Sequence, residues 1–557
     1  MPGGHEESAR LTLAYDPEGS NFDATLRVFG AIHHDNDFAG GQQVRCIAPT
    51  VQPSNYGNID PTGDCNMDQY MSKSGIPAAL ASTIPLARTD SYTDLSTVLG
   101  SLTVNFHPTD TLTLTSITGA LHLNSKGWGE YSGTSIGQVW SGDAERTDTQ
   151  SQEVRLISDF DGRLNFTLGT FYEHSFRYTF APQLITHRGI DPATGKYDTS
   201  EREADNYSNS YSGFAQLRLK LLDNLELAGG ARVTKEVKDT RIFTVYVAPG
   251  AVAAQAQVGR VIRLHYTDTN VSPEATLTWH PTSESTVYAA YKTGYKSGGF
   301  ANPSTLSRLH QNNPSLLKLE AESAKGGEIG FKSYLFNRAV RFESAAYRYD
   351  FSNLQVSSYD VASASFQVRN AAKARTSGVE ASINWHVTPQ FSLLAAGGLN
   401  HARYLSFAGA PCYLGQTLAE GCVPTLQPNG TTVNAQNFQG RTLHRAPRTP
   451  LVFSGSYDVP VSDTLKLGVN ADANYTSSYL AQENLAPASY QEAFWKFGAG
   501  VRVGAVDESW ELALIGRNLA NKYVITQGSD QPGGTKGTTT VVGPRPREVI
   551  VQGTVNF

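Results

Sequence analysis

Apolar and polar side chains alternate along many segments of this chain, with a period of two residues. In residues 465–475, Leu465, Leu467 and Val469 share one face of an extended strand, and Lys466 lies on the other. The same alternation occurs in residues 111–116, 163–172, 494–505 and 509–518. A period of two indicates strands with one apolar and one polar face. The chain is therefore predicted to be all-β and built from antiparallel hairpins.

Two features distinguish a membrane-spanning barrel from a large soluble β-sandwich. Many strands extend to roughly 12–15 residues, whereas strands in soluble proteins average about 5–6. The connections also alternate in length, with long ones predicted near 125–147, 179–206 and 353–372, among others. Outer-membrane barrels likewise have short turns on one rim and long loops on the other. No run of 18 or more apolar residues occurs, which excludes helical membrane spans. We therefore expect a transmembrane antiparallel β-barrel.

The strand count predicts a barrel that is incomplete at the N-terminus. The alternation gives about nineteen strands, whereas bacterial barrels have even numbers and a plugged barrel of this class has about 22. The first strand (about 8–16) and the last (about 546–557) would run in the same direction, so they cannot close the sheet antiparallel. About three strands are expected to precede residue 8. The N-terminus, MPGGHEESARL, carries no signal peptide.

Composition and cysteine spacing indicate which binding partners and which cellular compartment to expect. The net charge of -6 gives no reason to expect nucleic acid as a partner. The four cysteines form two close pairs, Cys46/Cys65 and Cys412/Cys422, in long loop-like segments. Four cysteines allow three pairings, of which the two local disulfides are the simplest. Such disulfides would indicate the periplasm or the cell surface. A zinc site is disfavoured, because no CxxC motif or nearby His pair accompanies them.

Few residues suggest a chemical site, and no cofactor is expected. His33 and His34 could bind a metal, although a solvated loop at the outer rim is the favoured reading. Ser135 lies in a G-x-S-x-G match, but a nucleophile elbow needs a following helix and the Gly/Ser-rich context predicts a loop. A basic patch could attract an anionic ligand or the phosphates of lipopolysaccharide, with a solvated rim as the plainer alternative. Its members are Arg441, His444, Arg445 and Arg448.

Several stretches resemble the C-terminal barrel of TonB-dependent outer-membrane receptors. Residues 287–300, VYAAYKTGYKSGGF, are similar to the family's aromatic strand that enters a Gly-Gly-Phe loop. Residues 317–332 resemble its L-K-P-E…E-x-G-x-K segment, with Leu319 in place of the usual Pro. Residues 516–523, GRNLANKY, resemble its N-L-x-N-K-x-Y element. The last strand ends in Phe557, which resembles the signal read by the barrel assembly machinery.

This resemblance implies a non-enzymatic receptor in the outer membrane of a Gram-negative bacterium. The family takes up large scarce solutes such as iron chelates, corrinoids or glycans, energised by the TonB complex. We expect residues 1–557 to be barrel alone, because no segment resembles the plug domain or the TonB box; coupling to TonB would require both. An N-terminally truncated transporter is therefore expected. The alternatives are a plugless surface-binding barrel or a non-transporting remnant, and, more remotely, a secreted soluble β-enzyme.

Overall fold

Nineteen long strands in one antiparallel sheet dominate the computed structural model. It describes residues 3–36, 42–46, 53–54, 57–63, 65–68, 74–185, 189–251, 256–360, 365–426 and 432–556. Each long strand pairs with the next one along the chain, as in an up-and-down barrel wall. The strands are β1 Gly4–Tyr15, β2 Phe22–Asp35, β3 Tyr92–Thr109, β4 Leu112–Glu130, β5 Val139–Ser158, β6 Leu164–Ile185, β7 Ser200–Leu222, β8 Leu225–Val247, β9 Ile262–Thr282, β10 Ser285–Lys296, β11 Glu322–Leu335, β12 Val340–Asp360, β13 Ser365–His386, β14 Phe391–Ser406, β15 Pro450–Pro460, β16 Leu465–Thr476, β17 Phe494–Ala505, β18 Trp510–Arg517 and β19 Glu548–Val555.

One face of this sheet is apolar and yet remains exposed. Leu512 and Leu514 of β18 are 49% and 52% exposed, and Val469 of β16 is also exposed. A soluble protein would bury such a continuous apolar surface under a second layer. The face instead has the character of a wall that contacts hydrocarbon. This agrees with the all-β barrel predicted from the alternation.

The opposite face carries charged and polar side chains that pair across strands. On β17, Arg502 donates two hydrogen bonds to the carboxylate of Asp458 on β15, at 2.5 and 2.6 Å. Its Nε also lies 3.8 Å from Glu511 of β18. Such paired charges suit a wet barrel interior. We call this face the lumen face and the apolar one the outward face.

The strands are much longer than the alternation predicts. β7 and β8 each have 23 residues. The expected long loops at 125–147, 179–206 and 353–372 shrink, because β4 extends to Glu130 and β5 begins at Val139. The sequence signal ends where the outward face stops being apolar, but the hydrogen-bonded ladder continues into water. The predicted extents of these three loops were wrong for this reason.

The edges of the sheet are β1 and β19. No pairing joins them among the described residues, and all twelve residues of β1 are exposed. Both strands run in the same direction in this alternating wall, so they cannot pair antiparallel with one another. The nineteen strands match the predicted number. In the described ranges, no helix is long and apolar enough to cross a membrane.

Candidate functional site

The long connections at one rim pack together into a single layer, which we call the outer loop layer. It comprises the described parts of residues 42–68, 131–138, 407–449, 477–493 and 518–547. Asp530 accepts hydrogen bonds from Gln482 and Asn484, at 2.6 and 3.1 Å. Burial raises the pKa of the Asp530 carboxyl, against the influence of those two amides. Loops that are far apart in sequence are therefore fixed to one another by buried polar contacts.

Apolar contacts support this layer from below. Tyr404, Phe407 and Phe438 are almost fully buried, and each pair of their rings lies 5.5 Å apart between centroids. Gln436 also donates to the carbonyl of Asn484 at 2.9 Å. An aromatic cluster of this kind contributes area burial and favourable ring geometry. It holds the loop at 407–449 against the loop at 477–493.

Two disulfides close segments within the outer loop layer. Cys46 is bonded to Cys65, and Cys412 to Cys422. The bridges span 19 and 10 residues of sequence, and they are the two local pairs that the spacing favours. Each restricts the conformations of its loop at the side facing the surroundings.

A polar cleft opens where the loops of the two chain ends meet. The space that water-sized molecules can occupy inside it is about 40 Å³, and the open mouth brings the total empty space to about 650 Å³. Its walls come from residues 43–66, 133–138 and 531–538. The lining is rich in neutral hydroxyl and amide groups, including Ser54, Asn58, Thr62, Asn66, Thr134, Gln138, Gln531, Thr535 and Thr538. Such a lining binds through many hydrogen bonds rather than through a single strong charge.

Asp60 is the carboxylate of this cleft, and its oxygens are occupied. It accepts hydrogen bonds from the backbone N–H of Ser135 at 2.9 Å and of Thr62 at 3.0 Å, and from both hydroxyls. Burial alone would raise the pKa of Asp60, but these hydrogen bonds outweigh it and hold the pKa below the ordinary value. Ser135 lies in the loop at 131–138, which leads into β5 and not into a helix. Its hydroxyl serves to position Asp60.

The amide of Gln138 is the polar group that the cleft leaves open. Gln138 is 4% exposed, and its Oε1 meets no hydrogen-bond partner in the described part of the chain. Across the cleft, Gln531 donates to the carbonyl of Ser132 at 2.8 Å. A buried acceptor without a donor is costly unless a ligand or water supplies one. Gln138 can therefore accept a hydrogen bond from a solute in the cleft.

The predicted basic patch contains a triad of ionisable groups, in which His444 and Glu483 are partly buried and Arg445 is exposed. His444 Nε2 lies 4.0 Å from Glu483 Oε1 and 3.5 Å from Arg445 Nη2. Burial, followed by the charge of Arg445, lowers the pKa of His444 to about 4. Burial raises the pKa of Glu483 to about 7, although Arg445 opposes this shift. Near neutral pH, the fixed positive charge of this triad is that of Arg445.

The remaining members of the patch are placed separately. The Arg441 guanidinium lies 5.7 Å from the ring centroid of Phe438. The backbone carbonyl of Arg448 accepts a hydrogen bond from the N–H of Asn400 at 2.8 Å. The structure thus brings His444 and Arg445 together, with Glu483 as a neighbour that the sequence pattern did not indicate.

His33 and His34 point to opposite faces of β2. His33 lies on the lumen face, 3.6 Å from Glu6. His34 lies on the outward face, where Asp94 binds it and Arg88 donates to the same carboxylate at 2.7 Å. Adjacent residues of a strand alternate in direction, so the two rings cannot chelate one ion. In the described residues, no group of three His, Cys, Asp or Glu side chains is arranged to hold a metal.

The cleft itself was not predicted from the sequence. Gln531 and Ser132 are 399 residues apart, so no local motif links them. The only signal is the segment 60–63, Asp-Pro-Thr-Gly, which is typical of a turn in which Asp caps a later N–H. Phe557 lies outside the described residues.

Solved structures share this fold at low sequence identity. The ferric yersiniabactin uptake receptor FyuA of Yersinia pestis matches with a TM-score of 0.71 and 13% identity, over 100% of this chain and 71% of that one. The siderophore receptor PiuA of Acinetobacter baumannii matches with a TM-score of 0.67 and 14% identity, over 99% and 74%. The ferric-catecholate import receptor Fiu of E. coli K12 gives 0.65 and 15%, over 100% and 75%. No curated protein matches the chain by sequence.

The sequence model of the family described as "TonB dependent receptor-like, beta-barrel" matches residues 10–519. The match begins within β1 and extends to the turn after β18, so it covers almost the whole antiparallel wall. Proteins of this family are receptors in the outer membrane of Gram-negative bacteria and work with TonB. The chain belongs to the TonB-dependent receptors, of which it forms the outer-membrane β-barrel.

Proposed function

We propose that this barrel forms the binding mouth and passage of a receptor for a large, scarce solute, with a ferric siderophore as the first candidate and a corrinoid or a glycan as the others. The observation that carries the proposal is the polar cleft in the outer loop layer of a family barrel. The solved relatives named above are siderophore or ferric-chelate receptors by their descriptions. No covalent chemistry is required of the chain.

The chemistry of the outer loop layer suits such a solute. Metal chelators and glycans present many oxygen atoms and hydroxyl groups to a receptor. The cleft offers neutral donors and acceptors, with Gln138 Oε1 available as an acceptor. Arg445 supplies a fixed cation for carboxylate or phenolate groups of a chelate. Several weak, oriented contacts give specificity without excessive affinity, as uptake requires.

An alternative is a barrel that binds at the cell surface and does not transport. Such a barrel would bind its partner through the same outer loop layer. Lipopolysaccharide and, through Phe557, the barrel assembly machinery are proposed partners in either case. Coupling to TonB requires a plug and a TonB box associated with this barrel.

Uptake measurements separate these possibilities. The gene is expressed from its own locus in cells without other ferric-siderophore receptors, with and without a functional TonB. Accumulation of ⁵⁵Fe-labelled siderophores, labelled cobalamin and a labelled oligosaccharide is measured beside surface binding. TonB-dependent accumulation of one class supports the proposal. Binding without accumulation favours the surface-binding alternative, and no binding of any class contradicts both.

Two variants tie the result to the outer loop layer. Arg445→Gln should weaken binding of an anionic chelate about tenfold, the loss expected for one charge-assisted hydrogen bond. Gln138→Leu should weaken binding of any solute that fills the cleft. Arg338→Gln, in the short turn at the opposite rim, is the control and should change neither binding nor uptake.

A further inference from the structure

The outward face of β11–β14 carries a row of cations near its outer rim. The pairing registers place Lys325, Asp350, Arg375 and Arg403 side by side on four successive strands. Arg348 lies in the next row toward the membrane centre, opposite Ser377. With strands about 4.8 Å apart, the row is about 14 Å wide. Four cations and one carboxylate share this surface, which we call the outward cationic row.

Most of these cations are not neutralised by the protein. Arg375 donates to both oxygens of Asp350, at 2.5 and 3.0 Å, so the single carboxylate is already occupied. Lys325, Arg348 and Arg403 form no ion pair among the described residues. Lys325 and Arg348 are exposed, and Arg403 is half-buried. The surface therefore has an excess of three positive charges.

Two outward-facing arginines near the same rim are paired within the protein. On β5, Arg146 donates to Asp148 at 2.8 Å. On β8, Arg241 lies 2.5 Å from Asp205 of β7. Pairing is incomplete there too, because Arg263 of β9 lies in register with Arg241 and forms no ion pair in the described part of the chain. On β11–β14, three such cations lie within two adjacent register rows. An uncompensated cluster of cations at a membrane surface indicates an anionic partner.

An apolar groove lies directly below the outward cationic row, toward the membrane centre. Its floor is formed by small side chains, Ser344, Ala346, Ala381 and Gly397, on three adjacent strands. A Cβ atom on Gly397 would lie 2.5 Å from Leu451 Cδ2, so glycine keeps this part of the floor low. The groove has a volume of about 600 Å³ and is open to the surroundings.

The walls of the groove are larger apolar side chains. Ile329, Val379 and Leu399 are each half exposed or more, at 57%, 50% and 52%. Together with Ala346 of β12 they form one register row across β11–β14, below the cations. Ser344, Ala381 and Gly397 form the next row toward the membrane centre. Charged groups near the outer rim and a channel for hydrocarbon beneath them match an amphiphile oriented along the membrane normal.

We propose that β11–β14 bind one molecule of the phosphorylated, multiply acylated glycolipid of the outer leaflet, lipid A. Its phosphates contact Lys325, Arg348 and Arg403, and one acyl chain lies in the groove over Ala346 and Ala381. A disaccharide with a phosphate at each end matches the width of the row better than a single-phosphate lipid does. The site depends only on the outer-membrane location and not on the solute that the receptor takes up.

The test is lipid binding by the purified full chain in detergent, measured by native mass spectrometry. The probes are hexa-acylated bis-phosphorylated lipid A, the same lipid without phosphates, and phosphatidylglycerol. Binding of the bis-phosphorylated lipid should weaken about a hundredfold in the triple variant Lys325→Gln/Arg348→Gln/Arg403→Gln. Each cation near a membrane surface contributes about a fivefold gain in binding, and the variant removes three of them. Ala346→Phe/Ala381→Phe should fill the groove and weaken it about tenfold.

Matched controls keep the result interpretable. Arg146→Gln removes an outward cation that is already paired, and Ala120→Phe adds the same ring to the outward face of β4; both should bind within twofold of the original chain. Heat-modifiable migration verifies that each variant is folded. The proposal is overturned if the charge variant binds lipid A as tightly as the original chain. It is also overturned if dephosphorylated lipid A or phosphatidylglycerol binds as tightly as the bis-phosphorylated form.

Discussion

His444 and Glu483 face one another at 4.0 Å from two different loops, and partial burial shifts the pKa of each toward its neutral form. Their effects on stability oppose one another. The depressed pKa of His444 means that stability is lost as pH falls from about 6.5 toward 4. The raised pKa of Glu483 means that stability is lost as pH rises from about 4.5 through 7. Between about pH 4.5 and 6.5 the two contributions largely cancel.

Replacing one partner should expose the pH dependence of the other. In Glu483→Gln, opening of the loops at 407–449 and 477–493 should become easier as pH falls from 6.5 to 4.5. In His444→Gln, opening should become harder over the same range. Hydrogen exchange of the Arg445 amide, bonded to Leu480 at 2.8 Å, reports this opening. Parallel pH profiles in the two variants would contradict the opposite pKa shifts of His444 and Glu483.

Arginine on the outward face of β18 should be far more costly than arginine on the lumen face. Leu514→Arg places a charge in hydrocarbon and should destabilise the barrel by about 2–4 kcal/mol if the site is near the bilayer midplane. Ile515→Arg, the adjacent residue, points to the wet interior and should cost much less. Urea unfolding of the chain in lipid vesicles measures both. Equal losses would mean that the two faces are wrongly assigned.

Opening the Cys412–Cys422 bridge should loosen its loop without affecting the wall. The double change Cys412→Ser/Cys422→Ser removes a short cross-link. In a chain-entropy estimate, the cross-link stabilises the ordered loop by about 2–3 kcal/mol. We expect faster proteolysis within residues 413–421 and unchanged heat-modifiable migration. Reduction of the original chain should reproduce the effect. A loop that remained resistant after reduction would show that the packing of Phe407 and Phe438 is sufficient.

Asp60 should be necessary for the contact between the loops at 53–63 and 131–138. Asp60→Asn removes the charge that accepts four hydrogen bonds and should cost about 1–3 kcal/mol locally. Exchange of the Ser135 amide should therefore accelerate on the order of tenfold or more. Ser82→Ala, on an exposed helix turn, is the control. Unchanged exchange at Ser135 would show that Asp60 does not hold the cleft together.

The barrel wall could be predicted from the sequence because its signal is local and repeated. Trp510, Leu512 and Leu514 share one face of β18, and all three side chains are exposed. The GRNLANKY segment was also informative: Asn518 and Asn521 have positive φ, and Asn518 accepts from the Lys522 N–H at 2.9 Å. Such turn chemistry depends on a few adjacent residues.

The candidate site could not be predicted in the same way. The cleft depends on contacts such as Gln531 with Ser132, which join loops from distant parts of the chain. The triad at His444 required Glu483 from another loop, and burial, not sequence, sets its pKa values. The strand ends beyond the bilayer were also missed. Above the membrane both faces are wet, so no hydrophobic pattern marks where a strand stops.

The unequal strand lengths give the mouth of the barrel a tall side, formed by the longest strands, and a low side, formed by the shortest. β6–β9 have 21 to 23 residues, whereas β18 and β19 have 8. At about 3.3 Å per residue, the longer strands extend about 70–75 Å, and the shorter ones about 26 Å. On the tall side, any displacement must break a continuous hydrogen-bonded ladder. On the low side, the rim consists of loops joined by the contacts of the outer loop layer, so a displacement there breaks those contacts and leaves the barrel wall intact.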